Sequence, residues 1–339
     1  MNLEKRISSF AELGRRIPGL LNNNLFDRTV TANNWFTPSE TTRAMKSWTD
    51  LLTTENLTRW TNGYPISEPS PLRNILVITA GNIPLVGFHD FLTVLITGNR
   101  FIGKLSQRDE VLLTTLAQEL INIEPGFAGQ IQLQNFNSDP DAVIATGSNN
   151  SARYFLTEYG QLPHIIRKNR SSIAVLDGSE TKEELDLMAG DILKYYGLGC
   201  RSISHIYLPT GYSPENLIEP LGSYKGPDPC EPFTHNLHYQ RARLSILNKP
   251  AHYTSHAILL ENNNLHSPIC VIHYSFYNNT ATLFEKINTQ QSEIQCITGH
   301  KSLHPQLIPH GSAQSPQLWD YADNIDTLRF LTQPTPSHP

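Results

Sequence analysis

Asn74-Ile75-Leu76-Val77-Ile78-Thr79-Ala80-Gly81-Asn82-Ile83-Pro84-Leu85 is the stretch whose reading settles the fold class. A short apolar run rich in β-branched residues, ended by a glycine turn, suits a strand buried on both faces, as in parallel sheets. The pattern then alternates. Residues 88–97 read as a helix stopped at Gly98-Asn99, 100–105 as a second strand and 108–122 as a second helix. Residues 130–133 and 141–146 supply two more strands, and 151–159 a helix that follows Gly147-Ser148. Strands alternating with helices predict an α/β fold built on a doubly wound parallel sheet.

Working outward, a second unit of the same kind begins near Ser172. Residues 173–176 read as a strand, 179–196 as a helix and 202–208 as a strand, with Gly197-Leu198-Gly199-Cys200 between the last two. Upstream, 2–13 and 38–60 have helical spacing, and Thr37-Pro38-Ser39-Glu40 reads as a helix start. Tyr64-Pro65-Ile66-Ser67-Glu68-Pro69-Ser70-Pro71 holds too many prolines for a regular element and reads as a linker. The expected organisation is N-terminal helices plus a first α/β domain over 1–171, with the linker at 64–71. A second α/β domain over 172–330 and a flexible tail over 331–339 complete it.

The composition excludes several functions. With 26 Lys+Arg against 31 Asp+Glu, the net charge of −5 gives no basic excess for nucleic acid or an anionic membrane surface. Four cysteines without CxxC pairing argue against a disulfide framework and for a reducing compartment. The charged N-terminal segment lacks a signal-peptide core, and no run approaches the roughly 20 apolar residues of a membrane span. The expectation is a soluble cytoplasmic protein. Cys230, His235 and His238 lack the second tight ligand pair of a zinc site, so no metal is expected. GxSxG and GxGxxG are both absent.

Several residues carry candidate chemistry. Cys200 follows a Gly-x-Gly turn, where small residues let a substrate approach a thiol, and Arg201 beside it favours the thiolate. A buried structural cysteine is the commoner fate of a free thiol and stays open on this pattern. Asn82 lies in a loop at a strand's C-terminal end, where its amide suits a developing oxyanion; a simple turn asparagine is the alternative. Gly147 and Ser148 precede a helix N-terminus suited to a pyrophosphate. Lys104 and Ser106 end the second strand, with Lys104 in reach of ribose hydroxyls or simply solvated.

In order, these segments resemble the aldehyde dehydrogenase superfamily. Ala80-Gly81-Asn82-Ile83-Pro84-Leu85 resembles its Trp-Asn-Phe-Pro loop, with Asn82 at the oxyanion position. Ile96-Thr97-Gly98-Asn99-Arg100-Phe101-Ile102-Gly103-Lys104-Leu105-Ser106 resembles the segment whose Lys binds the adenosine ribose. Ala145-Thr146-Gly147-Ser148 resembles the turn under the cofactor pyrophosphate, and Cys200 falls where the nucleophile should. More narrowly, the chain resembles the LuxC-type acyl-CoA reductase family, the reductase of bacterial-luminescence fatty acid reductase complexes. The match rests on Gly81-Asn82-Ile83-Pro84, Gly103-Lys104-Leu105-Ser106, Tyr195-Tyr196-Gly197-Leu198-Gly199-Cys200-Arg201-Ser202 and Gln317-Leu318-Trp319-Asp320-Tyr321-Ala322-Asp323.

The resemblance implies an aldehyde-dehydrogenase-like fold with cofactor-binding and catalytic domains, and reduction of a fatty acyl thioester through a Cys200-bound acyl group. Two departures refine it. The superfamily's water-activating Glu aligns with Ile166, and no carboxylate occurs in Ile166-Arg167-Lys168-Asn169-Arg170. Without that base, hydrolysis of a cysteine thioester is slow. Gln107 stands near where NAD-preferring members often keep a Glu, which favours NADPH over NADH. The implied partners are acyl-CoA or an acyl-carrier thioester, an acyl-transferring protein and a second copy of the chain. An oxidative aldehyde dehydrogenase and a non-catalytic acyl-binding subunit on the same scaffold are the alternatives.

Overall fold

The computed structural model describes residues 1–66, 72–133, 139–226 and 228–333. The chain forms two compact units, Met1–Asn169 with Gln317–Pro339, and Arg170–Pro316.

The first unit opens with four helices, α1 (Leu3–Leu20), α2 (Asn23–Ala32), α3 (Pro38–Leu51) and α4 (Thr54–Thr61). Each start is encoded locally. The Asn2, Asn22 and Thr53 side chains accept the N–H of Lys5, Leu25 and Asn56, and Pro38 occupies the first turn of α3. The expected helix over 38–60 is therefore two, broken at Leu52 and capped anew by Thr53. On α1, Ile7, Phe10, Leu13 and Ile17 form the buried stripe, and the Phe10 ring meets Phe91 and Phe127 edge-on.

The alternating part follows as β1 (Asn74–Ile78), α5 (Phe88–Ile96), β2 (Arg100–Lys104), α6 (Glu110–Ile123), β3 (Ile131–Leu133), β4 (Ala142–Thr146), α7 (Asn149–Tyr159) and β5 (His164–Arg167). The strands pair in the order β3-β2-β1-β4-β5, all parallel. Ile75 and Val77 enter the large core shared with α1 and α5, while Leu76 and Ile78 enter a second cluster with Val143 and Phe155. Both faces of β1 are thus covered, which explains a strand without polar alternation. Of the expected linker, 67–71 lie outside the described residues.

The second unit contains β6 (Ser171–Val175), α8 (Lys182–Leu193), β7 (Ile203–Pro209), α9 (Ile218–Ser223), α10 (Glu231–Ile246), β8 (His252–Tyr253), β9 (Ile258–Glu261), β10 (Val271–Tyr277), α11 (Thr280–Thr289) and β11 (Ile294–Thr298). Its strand order is β11-β6-β7-β10-β9-β8. The pairs are parallel except at the edge, where β8 runs antiparallel to β9. Thr181 and Glu184 form a reciprocal capping box at the start of α8. Each unit thus holds one α/β sheet.

The chain then returns to the first unit, where α12 (Thr327–Thr332) lies. The expected boundary at 330 is displaced because Leu318, Tyr321, Leu328 and Leu331 bury themselves in the first unit's core. Polar contacts fix this return. Trp60 Nε1 donates to Tyr321 Oη at 2.9 Å, Tyr64 Oη donates to Asp326 Oδ2 at 2.9 Å, and the Arg73 guanidinium reaches the Leu331 carbonyl. Leu331, expected in the tail, is only 2% exposed; residues 334–339 of that tail lie outside the described residues. Among the described residues no helix is long and apolar enough to cross a membrane.

Candidate active site

In the first unit, β2, β1 and β4 are adjacent and parallel, so the segments after them emerge along one sheet edge. The chain leaves β1 towards β2 on one side and later reaches β4 on the other. Such a switch point is where open α/β sheets hold ligands. Asn82 lies in the segment after β1, Lys104 ends β2 ahead of Ser106 and Gln107, and Gly147 and Ser148 follow β4.

The first two segments are knitted together. Thr79 N donates to the Lys104 carbonyl, and Ser106 N donates to Thr79 Oγ1, both at 3.1 Å. A Cβ on Gly81 would lie 2.4 Å from Ser106 Oγ, so only glycine permits this approach. Asn82 and Ser106 are half-buried, whereas Lys104 and Gln107 are exposed. Leu85, at φ +59°, turns the segment left-handed while its side chain is 2% exposed. Its N–H donates to Asp109 Oδ1 at 3.1 Å. Burial pushes the Asp109 carboxyl well above the usual range, opposed by hydrogen bonds from the Leu85 and Val86 backbone.

After β4, Gly147 N donates to the Arg167 carbonyl at 3.2 Å. A Cβ there would meet Ser151 Cβ at 2.8 Å, so the turn into α7 also needs glycine. The exposed Ser148 caps α7 by accepting the Ser151 N–H at 3.2 Å. Its hydroxyl oxygen is engaged with its own helix, and an anion here would meet the helix's first N–H groups. Ile166, aligned with the superfamily's base, packs in β5 against the cluster of Leu76, Ile78, Ile102, Val143, Ala145 and Phe155.

The second unit carries Cys200. Sequence spacing predicts a helix through Tyr196, but α8 ends at Leu193. Tyr195, Tyr196 and Gly197 then adopt φ of +52°, +56° and +73° in succession. For the two tyrosines this left-handed conformation costs about 1–2 kcal/mol per residue. It persists because their rings are buried; Tyr196 Oη donates to the Asp228 carbonyl at 3.0 Å, and its ring lies 5.4 Å from Phe233. The turn closes with Ser202 N donating to the Gly199 carbonyl at 3.0 Å.

Cys200 is exposed on this turn, unlike buried Cys230 and Cys270. Its carbonyl accepts the Ser172 hydroxyl at 3.0 Å, and Ser172 Oγ also lies 3.1 Å from Cys296 Sγ. Burial raises the Cys296 thiol, leaving it a poor nucleophile beside an accessible one. Cys200 therefore offers an accessible thiol, which Cys230 and Cys270 do not.

Sequence reasoning missed three contributors. Asp109 precedes a helix and reads as an ordinary cap; Ser172 precedes a strand with no visible partner. Arg167 pairs with Asp90 across 77 positions, at 2.6 Å between Nη1 and Oδ2, and donates through Nη2 to Thr327 Oγ1 at 3.0 Å. Among the described residues, the grouping with metal-ligand spacing is Asp177, Glu180 and His300. There His300 Nδ1 lies 3.0 Å from Asp177 and Nε2 3.0 Å from Glu184; the Asp177 contact leads in raising its pKa, which favours an imidazolium bridge over a ligand.

Solved structures share this architecture. Aldehyde dehydrogenase 21 from Physcomitrella patens, complexed with the reaction product succinate, is 12% identical with a TM-score of 0.63; the match covers 85% of this chain and 71% of that one. An indole-3-acetaldehyde dehydrogenase complexed with NAD+ is 15% identical with a TM-score of 0.65, over 84% and 69%. An NAD-dependent benzaldehyde dehydrogenase from Corynebacterium glutamicum is 13% identical with a TM-score of 0.63, over 84% and 74%. At such identities the likeness establishes the fold. No curated protein matches the sequence. The family described as acyl-CoA reductase (LuxC) matches residues 54–222, a span holding Asn82, the Lys104 turn, Gly147 and Cys200. The chain belongs to the LuxC acyl-CoA reductase family, whose members are oxidoreductases acting between the acyl and aldehyde levels.

Proposed function

We propose that this protein reduces a fatty acyl thioester to the aldehyde with NADPH through a thioester on Cys200. The observation that carries the reading is the exposed Cys200 on its left-handed turn, with its carbonyl tied to Ser172. The Cys200 thiolate attacks the acyl carbonyl carbon, forming a new S–C bond; the bond to CoA or a carrier thiol breaks, and that thiolate leaves to be protonated. The Asn82 amide and the Cys200 N–H hold the charge that develops on the acyl oxygen. Splitting the transfer at a covalent stage replaces one difficult step by two easier ones.

The residues after β2, β1 and β4 fit a dinucleotide. Gly81 and Gly147 leave room that a Cβ would fill, Lys104 is exposed for ribose hydroxyls or a 2′-phosphate, and Gln107 offers that phosphate no repelling carboxylate. Ser106 and Ser148 flank the same sheet edge. When bound, NADPH supplies the hydride that the acyl carbon needs. Release of the aldehyde returns Cys200 to its thiolate. Ile166, packed among apolar side chains, provides no base for water, so the thioester persists long enough to be reduced.

The test is NADPH consumption with acyl-CoAs of increasing chain length, with the product trapped, together with mass spectrometry of the Cys200 peptide. A covalent acyl group on Cys200 and a matching aldehyde are expected, and Cys200→Ala should abolish both while still binding NADPH. Carboxylate as the product, or turnover surviving in Cys200→Ala, overturns the reading.

A further inference from the structure

Asp109 occupies the N-cap position of α6, yet its side chain makes no capping hydrogen bond to that helix. An aspartate there ordinarily accepts an N–H of its own first turn. This one is turned the other way. Its carboxyl is almost fully buried, at 5% exposure, and Oδ1 accepts the Leu85 N–H at 3.1 Å, with Val86 as a second backbone donor. Leu85 is the residue that turns the Asn82 segment left-handed, a conformation an L side chain rarely adopts without support. Asp109 N donates in turn to the Ser106 carbonyl at 2.9 Å, so one residue ties the Asn82 segment to the turn carrying Lys104, Ser106 and Gln107.

We infer that Asp109 is a positioning residue for the reaction: it forgoes capping α6 in order to fix the backbone at Leu85 and Val86, and thereby the direction in which the Asn82 amide points. The inference rests on the reading of Asn82 as the oxyanion donor. A donor prepared for charge that appears only in the transition state loses its effect when its backbone can wander.

The experiment measures the rate at which an acyl-CoA acylates Cys200 in a single turnover, followed by mass spectrometry of the Cys200 peptide. Alkylation of the same cysteine by iodoacetamide, which develops no oxyanion, serves as the folding and accessibility control. Asn82→Ala should slow acylation about 100-fold. Asp109→Ala should slow it at least about 10-fold, with iodoacetamide alkylation unchanged, and Asp109→Asn, which keeps an acceptor oxygen, should recover part of the loss. The double variant Asn82→Ala/Asp109→Ala should be no slower than Asn82→Ala alone, since a positioning residue has nothing left to position. Should Asp109→Ala fail to fold, Asp109→Asn and its double with Asn82→Ala carry the same comparison. Acylation of the Asp109 variants at the wild-type rate, or losses that multiply in the double variant, would overturn the inference while leaving Cys200 as nucleophile. Absence of any acyl group on wild-type Cys200 would overturn the proposed function itself and this inference with it.

Discussion

Two buried histidines set an acid limit on the unit that carries Cys200. His205 is 0% and His310 6% exposed, and burial lowers each to a pKa of about 4. His205 is held neutral in a specific frame, with Nδ1 3.0 Å from the Asn264 carbonyl and Nε2 2.9 Å from Ser275 Oγ. A histidine depressed in the folded state contributes stability that is complete above its unfolded pKa near 6.5. That stability is lost as pH falls through the folded value. For a drop from 6.5 to about 4, linkage removes about 2.5 kcal/mol per histidine by pH 4.5. Two such losses approach the lower end of the roughly 5–15 kcal/mol that holds a domain together. The assay is urea unfolding of the wild type and His205→Asn at pH 7.5, 6.0 and 4.5, read by far-UV circular dichroism. The variant should be less stable at pH 7.5, where it loses packing. Its deficit should shrink towards pH 4.5, because asparagine acquires no proton. A deficit independent of pH would refute the reasoning.

Three further outcomes are expected. Asp191, buried in α8 with Oδ2 accepting the Gly311 N–H at 2.6 Å, is raised by burial to about 6. Its contribution is therefore complete at low pH and lost as pH rises from about 4 to 6, so the melting-temperature gap between Asp191→Asn and wild type should shift in the variant's favour across that window, and a flat gap would count against it. Arg167→Ala leaves Asp90 buried without its cation and should cost about 3–5 kcal/mol, with Asp90→Ala/Arg167→Ala costing less than the sum of the singles; additive losses in a denaturant cycle would show that the pair is not coupled. Gly81→Ala drives a Cβ to within 2.4 Å of Ser106 Oγ and should weaken NADPH binding at least about tenfold in a fluorescence titration, through separation of the two segments.

How much of this was legible in the sequence depended on whether the information was local. β1 and β4 were readable because strands buried on both faces carry continuous apolar runs, as Ile75, Leu76, Val77 and Ile78 do. Helix α2 was not assigned, because its start carries three asparagines and its buried residues are only Leu25 and Thr29, although Asn22 is its cap. The end of α8 was misplaced because nothing in Tyr195-Tyr196 announces a left-handed backbone; burial of the rings enforces it. The segment Gln317-Leu318-Trp319-Asp320-Tyr321 was visible as a motif, but its place was not. Its partners are Trp60, Tyr64 and His89, more than 200 positions upstream. Asp109 and Ser172 were invisible for the same reason, since each acts on backbone that a sequence does not bring near.

The fate of a cysteine-bound acyl group depends on what can reach it next, and here Ile166 matters as much as Cys200. Were Ile166 merely a lost glutamate, its surroundings would remain polar and the base could return in one step. Instead Ile166 joins the apolar cluster under α7 with Leu76, Ile78, Val143, Ala145 and Phe155, the first three of which are 0–7% exposed. Ile166 is itself half-buried, so a glutamate placed there would be partly desolvated against these apolar neighbours, and less of its carboxyl would be ionised at neutral pH. A protonated carboxyl cannot take a proton from water. On the proposed reaction, Ile166→Glu should therefore fail to create a hydrolase, even with the family's residue restored. Substantial carboxylate release by that variant at pH 7 would show that position 166 is solvated enough to hold a working base, and that hydrolysis is blocked by some other feature.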